Sequence, residues 1–172
     1  HLFPDYKYCV NLGGFANISI KKKEKIIAFD ICPVNIVMNE ISKQLDLKFD
    51  VNGDIAKKGK LIPELLAELN NLSFYKKESP KSLGREWVEK FINPLLLKKY
   101  KAEDTLHTFC EHIGIQIGKF LNNKSVFFTG GGVFNSYLIG RISHYSTSEI
   151  FIPNHKIINF KEALIFAFLA VL

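Results

Sequence analysis

The chain has 172 residues, 47% of them hydrophobic and 23% charged, with a formal net charge of +6. That length holds one domain with a real core and hardly two, and the composition excludes disorder, which needs low hydrophobicity with high charge. The lysines fall in small groups at 21–25, 57–60 and 98–101 with no basic block interleaved with aromatics. This argues against nucleic acid and for a solvated surface or an attraction for anionic substrates.

Residues 8–12, 17–21 and 25–29 read as three short strands, separated by Gly13-Gly14 and by a charged link. Connections that short force antiparallel pairing. Val37, Ile41 and Leu45 form one apolar stripe and predict a helix over 35–47, ended by a turn at Asp50, Asn52 and Gly53. Leu61, Ile62, Leu65, Leu66 and Leu69 predict an amphipathic helix over 60–71, with Pro63 tolerable only in its first turn. The polar stretch 73–82 reads as a loop.

Asp104 is a candidate N-cap for a long helix carrying Leu106, Phe109, Ile113, Ile117 and Phe120, which stops at Asn122 and Asn123. A strand over 125–128, a turn over 130–132, a helix over 133–143, a strand over 149–152 and a helix over 160–172 follow. The last helix is apolar nearly all round and is expected to be buried. Strand-helix alternation late in the chain argues for parallel pairing onto the first sheet. The result is an α/β fold with a mixed five-stranded sheet flanked by helices, in the order of a ribonuclease-H-like, actin-like ATPase lobe.

Fifteen phenylalanines against one Met and one Trp point to an aromatic core more than to a stacking surface. Cys9, Cys32 and Cys110 stand apart with no Cys-x-x-Cys pair, so neither a zinc site nor a disulfide framework is indicated and a cytoplasmic location is expected. The apolar C-terminus, 163–172, is too short for a bilayer, which takes about 20 residues. No membrane partner is expected.

Three segments carry candidate chemistry. Gly130, Gly131 and Gly132 follow a strand and open a helix, where backbone without Cβ lets a nucleotide approach, with Asn135 just beyond; a plain tight turn is the alternative. No Gly-Lys-Ser/Thr follows, so this is not a Walker A loop. Asp30 stands at the end of the third strand and can take a proton from water, while the helix start at Asn35 offers N–H groups to an anion. Alternatively, Asp30 or Asn35 simply caps that helix. Around Pro80, the residues Lys81, Ser82 and Arg85 are donors suited to phosphate or a sugar carboxylate, or else a solvated loop. His107 and His112 lack ligand spacing and are read as inert; no metal site is expected.

The ordered set NLGGFANIS (11–19), FDICPVN (29–35), FDVNGDIAKKG (49–59), PKSLGRE (80–86), EDTLHTFC (103–110), TGGGVFN (129–135) and KEALIFAFLA (161–170) resembles the anhydro-N-acetylmuramic acid kinases over nearly the whole chain. The resemblance implies a two-lobed, ATP- and magnesium-dependent sugar kinase of peptidoglycan recycling. Such a kinase opens the 1,6-anhydro ring with water as O6 takes the γ-phosphoryl group. It implies Asp30 as the base, Gly130 to Gly132 with Asn135 as the nucleotide turn, and Asn35, Arg85 and Glu162 near the sugar. Residues 1–172 then form the single C-terminal lobe, with the N-terminal phosphate-loop lobe absent and itself a partner, and a homodimer stays open. On that reading the 172 residues alone are expected to be inactive. The family usually reads Phe-Asp-Thr-Gly-Pro-Gly-Asn where this chain has Ile31, Cys32 and Val34. Another actin-like sugar kinase lobe, or a non-catalytic binding or oligomerisation module, is the alternative.

Overall fold

The computed structural model describes residues 3–23, 25–96 and 100–170, the side chain of Glu162 excepted. Short links make the first three strands a meander. β1 (Tyr8–Leu12) turns at Gly13-Gly14 into β2 (Phe15–Lys22), which pairs in turn with β3 (Lys25–Pro33). Next come α1 (Asn35–Ser42) and α2 (Pro63–Asn71), with Pro63 in the first turn, where a missing N–H costs nothing. A broken helical run follows: α3 (Arg85–Trp87), a π turn (Val88–Ile92) and α4 (Asn93–Leu96). The long α5 (Ala102–Gly118) leads to β4 (Val126–Thr129), α6 (Ser136–His144), β5 (Ile150–Phe151) and α7 (His155–Leu169). β4 pairs parallel to β1 and β5 parallel to β4, so the sheet order is β3-β2-β1-β4-β5. That is the mixed five-stranded sheet of the ribonuclease-H-like lobe.

α5 is the spine of the core. Of its expected stripe, Leu106, Phe109, Ile113 and Ile117 are fully buried, whereas the helix ends at Gly118 and leaves Phe120 half-buried in the turn beyond; α5 packs on β3, α1, α2 and α6. Its other side buries a polar layer. His112 lies 2.8 Å through Nδ1 from Asn70 Oδ1 and 2.9 Å through Nε2 from the Tyr75 hydroxyl, while Gln116 donates to the same Asn70 oxygen. Each member has a partner, as a buried polar group requires. Farther along, Arg141 and the Tyr145 hydroxyl both donate at 2.9 Å to Glu111 Oε2, tying α6 to α5.

Several expectations are corrected. Asp104 is not the N-cap of α5; the helix starts two residues earlier, and Asp104 Oδ1 accepts the Lys60 N–H at 2.8 Å, joining two segments. α1 ends at Ser42 and runs on as a 3-10 turn (Lys43–Leu45), and part of the expected loop is a 3-10 turn (Ser73–Lys76). α7 is not buried. Ile158 packs into the core, but Phe160 and Phe166 are 67% and 72% exposed, with Leu164 and Leu169 beside them. An all-round apolar helix has more apolar surface than this half-sheet can cover. The phenylalanines divide likewise: Phe29, Phe74, Phe109, Phe127 and Phe128 are core, whereas Phe49, Phe91, Phe134 and Phe151 are exposed. Among the described residues no helix is long and apolar enough to cross a membrane.

Candidate functional site

The parallel strands β1 and β4 end side by side, and the groups that follow them line a cleft, as in open sheets generally. After β1, Gly13 and Gly14 turn under α1. Gly13 O accepts the Asn35 N–H, and Gly14 O accepts the N–H groups of Val34 and Ile36. These bonds close the helix start that sequence reading left open to an anion. Neither Asp30 nor Asn35 caps α1: Val34 is its N-cap residue and makes no side-chain cap bond. Asn35 instead reaches back with Nδ2 to Leu12 O at 3.5 Å.

After β4, the three glycines have three different reasons. Gly130 has φ +87 and ψ 162, backbone that is essentially glycine's alone. At Gly132 a Cβ would lie 2.8 Å from Leu12 Cβ, so close packing demands glycine. Gly131 has neither constraint: its φ is ordinary, and a Cβ there would meet nothing nearer than Asn35 Nδ2 at 3.9 Å. It faces a cleft of about 380 Å³ lined by Asn35, Met38, Asn39, residues 49–52, Gly132, Phe134 and Asn135. Asn135 is the N-cap of α6, its Oδ1 accepting the Leu138 N–H at 2.9 Å.

The far wall is the FDVNGD segment, whose function the sequence alone did not disclose. Asp50 is buried, and its two carboxylate oxygens accept the Ile55 and Ala56 N–H groups at 2.9 Å each. Asn52 (φ 59) and Gly53 (φ 78) then turn the loop in the left-handed region. The Ser136 hydroxyl donates to Asn52 Oδ1 at 2.5 Å, and a Cβ on Gly53 would strike Asn135 Oδ1 at 2.3 Å. The loop is therefore seated on the start of α6.

Asp30 lies inside β3, which runs three residues past it, opposite Asn17 and beside a bulge at Ala16/Asn17. Its N–H donates to Lys81 O at 2.9 Å and its Oδ2 accepts the Leu83 N–H at 2.8 Å, so the 80–84 segment is laced along the strand. Oδ1 has no partner among the described residues, and Asp30 lines a shallow depression of about 440 Å³ with Asn17, Ala28, Pro80, Lys81 and Ser82. Of the donors read around Pro80, Ser82 lines this depression, while Lys81 and Arg85 are engaged elsewhere. Lys81 Nζ donates to Phe74 O at 3.0 Å and Lys77 O at 3.2 Å, and burial, then the Lys119 charge, pull its pKa down. Arg85 pairs with Glu89 at 2.9 Å on the surface and lines neither depression.

The structure thus gathers Asn35, Gly131, Gly132 and Asn135 in one cleft, with Gly130 behind it, and sets Asp30 in another. Glu162 lies on α7, and its side chain falls outside the described residues. Its neighbour Lys161 joins the strand ends, its ammonium donating to Asn11 Oδ1 and, at 3.1 Å, to Thr129 Oγ1. His112 is the inert core histidine expected, pushed down to about 3 by burial and then by Lys119. The unfamiliar residues near Asp30 turn inward: Ile31, Cys32 and Val34 are core, and burial pushes the Cys32 thiol up.

Comparison with known proteins agrees with this architecture. Two solved structures share the fold. The activator of 2-hydroxyisocaproyl-CoA dehydratase from Clostridium difficile with bound ADPNP has a TM-score of 0.54 at 14% identity, over 88% of this chain and 55% of that one. The Acidaminococcus fermentans (R)-2-hydroxyglutaryl-CoA dehydratase component A has a TM-score of 0.56 at 13% identity, over 92% and 59%. Among sequences, the anhydro-N-acetylmuramic acid kinase of Gamma-proteobacterium EBAC31A08 is 36% identical over 82% of this chain and 41% of its own length. That of Bacillus thuringiensis subsp. konkukian (strain 97-27) is 32% identical over 93% and 47%. The chain spans rather less than half the length of these curated relatives. With the family pattern for anhydro-N-acetylmuramic acid kinase matched over residues 4–172, the chain belongs to that family.

Proposed function

We propose that the chain is the C-terminal lobe of an ATP-dependent kinase that phosphorylates 1,6-anhydro-N-acetylmuramic acid with hydrolytic opening of its ring. The product is N-acetylmuramic acid 6-phosphate, in cytoplasmic cell-wall recycling. The observation that carries the nucleotide half is Gly131, a glycine that neither backbone nor packing requires, facing a cleft at the strand ends. A ligand that comes up to the backbone accounts for it. Magnesium would enter on the nucleotide's phosphates, as it does where substrate oxygens supply most of its shell.

For the sugar half, Asp30 is the base. One oxygen is held by the Leu83 N–H and the other stands open, which suits a carboxylate that orients a water and takes its proton. The water oxygen bonds to the anomeric carbon, the bond from that carbon to O6 breaks, and O6 takes the γ-phosphoryl group as ADP leaves. Positioning and charge neutralisation supply most of such catalysis. The remaining part of the relatives' length supplies the other lobe, and we assign it to the exposed apolar surface of α7, which carries Phe160 and Leu164 on one side and Phe166 on another.

The test is Asp30→Asn in a full-length protein carrying this lobe. The amide oxygen can still accept the Leu83 N–H, so folding is kept, and ring-opening turnover should fall by about 10²–10⁴-fold, the usual worth of a general base. Unchanged turnover would remove Asp30 from that role.

A further inference from the structure

β3 is the edge strand on its side of the sheet, so no further strand covers its outer rim. At Asp30 that rim is covered by residues 80–84, which belong to no helix or strand. Both bonds that hold Asp30 from this side come from the segment's backbone: Lys81 O accepts the Asp30 N–H at 2.9 Å, and the Leu83 N–H donates to Asp30 Oδ2 at 2.8 Å. A backbone that places a reacting carboxylate must itself be held, because a displacement of about 1 Å can cost about 10²-fold in rate.

The side chain of Lys81 supplies that hold. Among the described residues, the hydrogen bonds of 78–83 other than those two are made by the Lys81 ammonium. It donates to Phe74 O at 3.0 Å and to Lys77 O at 3.2 Å, and lies 4.6 Å from the centre of the Phe74 ring. A cation that donates to carbonyls and sits over an aromatic face makes a stronger tie than a neutral donor would. What it grips is firm. Phe74 is buried, with its ring centre 5.5 Å from that of Tyr75 and 5.4 Å from that of Trp87. The Tyr75 hydroxyl in turn lies 2.9 Å from Nε2 of the buried His112 on α5. Contacts therefore run unbroken from the central helix through the 3-10 turn (Ser73–Lys76) and Lys81 to the backbone that carries Asp30.

We propose that Lys81 is a positioning residue for ring opening: its ammonium ties residues 80–84 to the Ser73–Lys76 turn, and that tie sets where the Asp30 carboxylate stands. The proposal rests on the reading of Asp30 as the base and adds the residue that places it. Loss of Lys81 is then felt in kcat with binding kept. A lysine that held the sugar directly would be felt in KM instead. One that merely stabilised the fold would lower turnover whether or not Asp30 were present.

The experiment is a double-mutant cycle on turnover of 1,6-anhydro-N-acetylmuramic acid and ATP by a full-length protein carrying this lobe. Lys81→Met keeps an apolar stem beside Phe74 and loses the donors; kcat should fall about tenfold to hundredfold, with both KM values within about twofold of the parent. Lys81→Arg, which keeps a cation and its donors, should recover most of the loss. With Asp30→Asn already present, Lys81→Met should change turnover by less than about twofold, because residues that act as a unit are not additive. Lys81→Gln, too short to reach both carbonyls, goes through the same cycle in place of a Met variant that does not fold. An equal fall with and without Asp30, a raised KM for the sugar with kcat kept, or an unchanged kcat each overturns the positioning role and leaves Asp30 to be judged on its own variant. Unchanged turnover in Asp30→Asn alone overturns the base reading and this proposal with it.

Discussion

Replacing Gly130 and Gly131 separately by alanine distinguishes a glycine the fold needs from one the ligand needs. At Gly130, φ +87 and ψ 162 lie where a side chain costs about 1–3 kcal/mol. The new Cβ would also sit 2.6 Å from Leu12 O and 2.7 Å from Leu12 C. Leu12 is fully buried in β1, between β2 and β4, and cannot retreat, so overpacking adds about 1–3 kcal/mol. The total of roughly 2–6 kcal/mol lowers the melting temperature of a chain this size by about 5–20 °C. At Gly131 the methyl meets only Asn35 Nδ2 at 3.9 Å, so stability should change by less than about 0.5 kcal/mol. Circular dichroism melts measure the first quantity, and saturation transfer from the protein to ATP measures the other. Gly131→Ala should melt like the parent and lose ATP signal; Gly130→Ala should melt far lower. A Gly130→Ala melt within about 2 °C of the parent, or equal losses of stability at the two positions, would refute the assignment of separate reasons.

Three further outcomes follow from buried and exposed groups. His112 has its folded pKa lowered to about 3, with Tyr75, Asn70 and the Lys119 charge around it, against about 6.5 unfolded. Below pH 6.5 the unfolded chain therefore binds a proton the folded one refuses, so stability is full above that pH and falls by about 2 kcal/mol by pH 5. Urea melts at pH 7.5 and 5 should show the parent losing about that much more than His112→Gln; equal losses would contradict it. Asp50→Ala removes the acceptor of the part-buried Ile55 N–H and the buried Ala56 N–H, and should cost about 2–4 kcal/mol by denaturant titration while weakening ATP, because the cleft wall loosens. Phe160→Ser with Phe166→Ser should raise the solubility of the 172-residue chain yet lower the melting temperature of a full-length protein. An unchanged melt there would mean that this surface is not covered by the other lobe.

The strand order was legible because short links force a meander and strand-helix alternation forces parallel pairing, and both rules act locally. The apolar stripe of α5 was legible for the same reason. Asp104 misled because a cap is a matter of one residue's dihedrals: it is a good capping type in a good place, but the Lys60 N–H reached it first. The exposure of α7 was illegible because hydropathy reports what a helix can bury and says nothing of whether the covering surface belongs to the same chain. At the site, the glycine run marked the turn, but not that Gly130, Gly131 and Gly132 are glycines for different reasons. The FDVNGD wall gave no signal of its place, since Asp50 spends its charge on its own loop and only tertiary contact brings Asn52 to Ser136.

The departures around Asp30 are where sequence and geometry pull furthest apart. Losing two family glycines and a threonine from the segment that holds Asp30 suggests a remodelled site. Yet Ile31, Cys32 and Val34 point into the core, so their side chains take no space in either depression. What shapes the surroundings of Asp30 is backbone: its own N–H to Lys81 O, its Oδ2 under the Leu83 N–H, and the bulge at Ala16/Asn17 across the ladder. The helix start that follows is likewise held by the Gly13 and Gly14 carbonyls, bonds that any side chain at position 34 leaves in place. The position of the carboxylate is thus determined by two neighbouring segments, 80–84 and 13–17, each recognisable by its own motif. The three unusual residues adjust the packing beneath it and leave its surroundings to those segments.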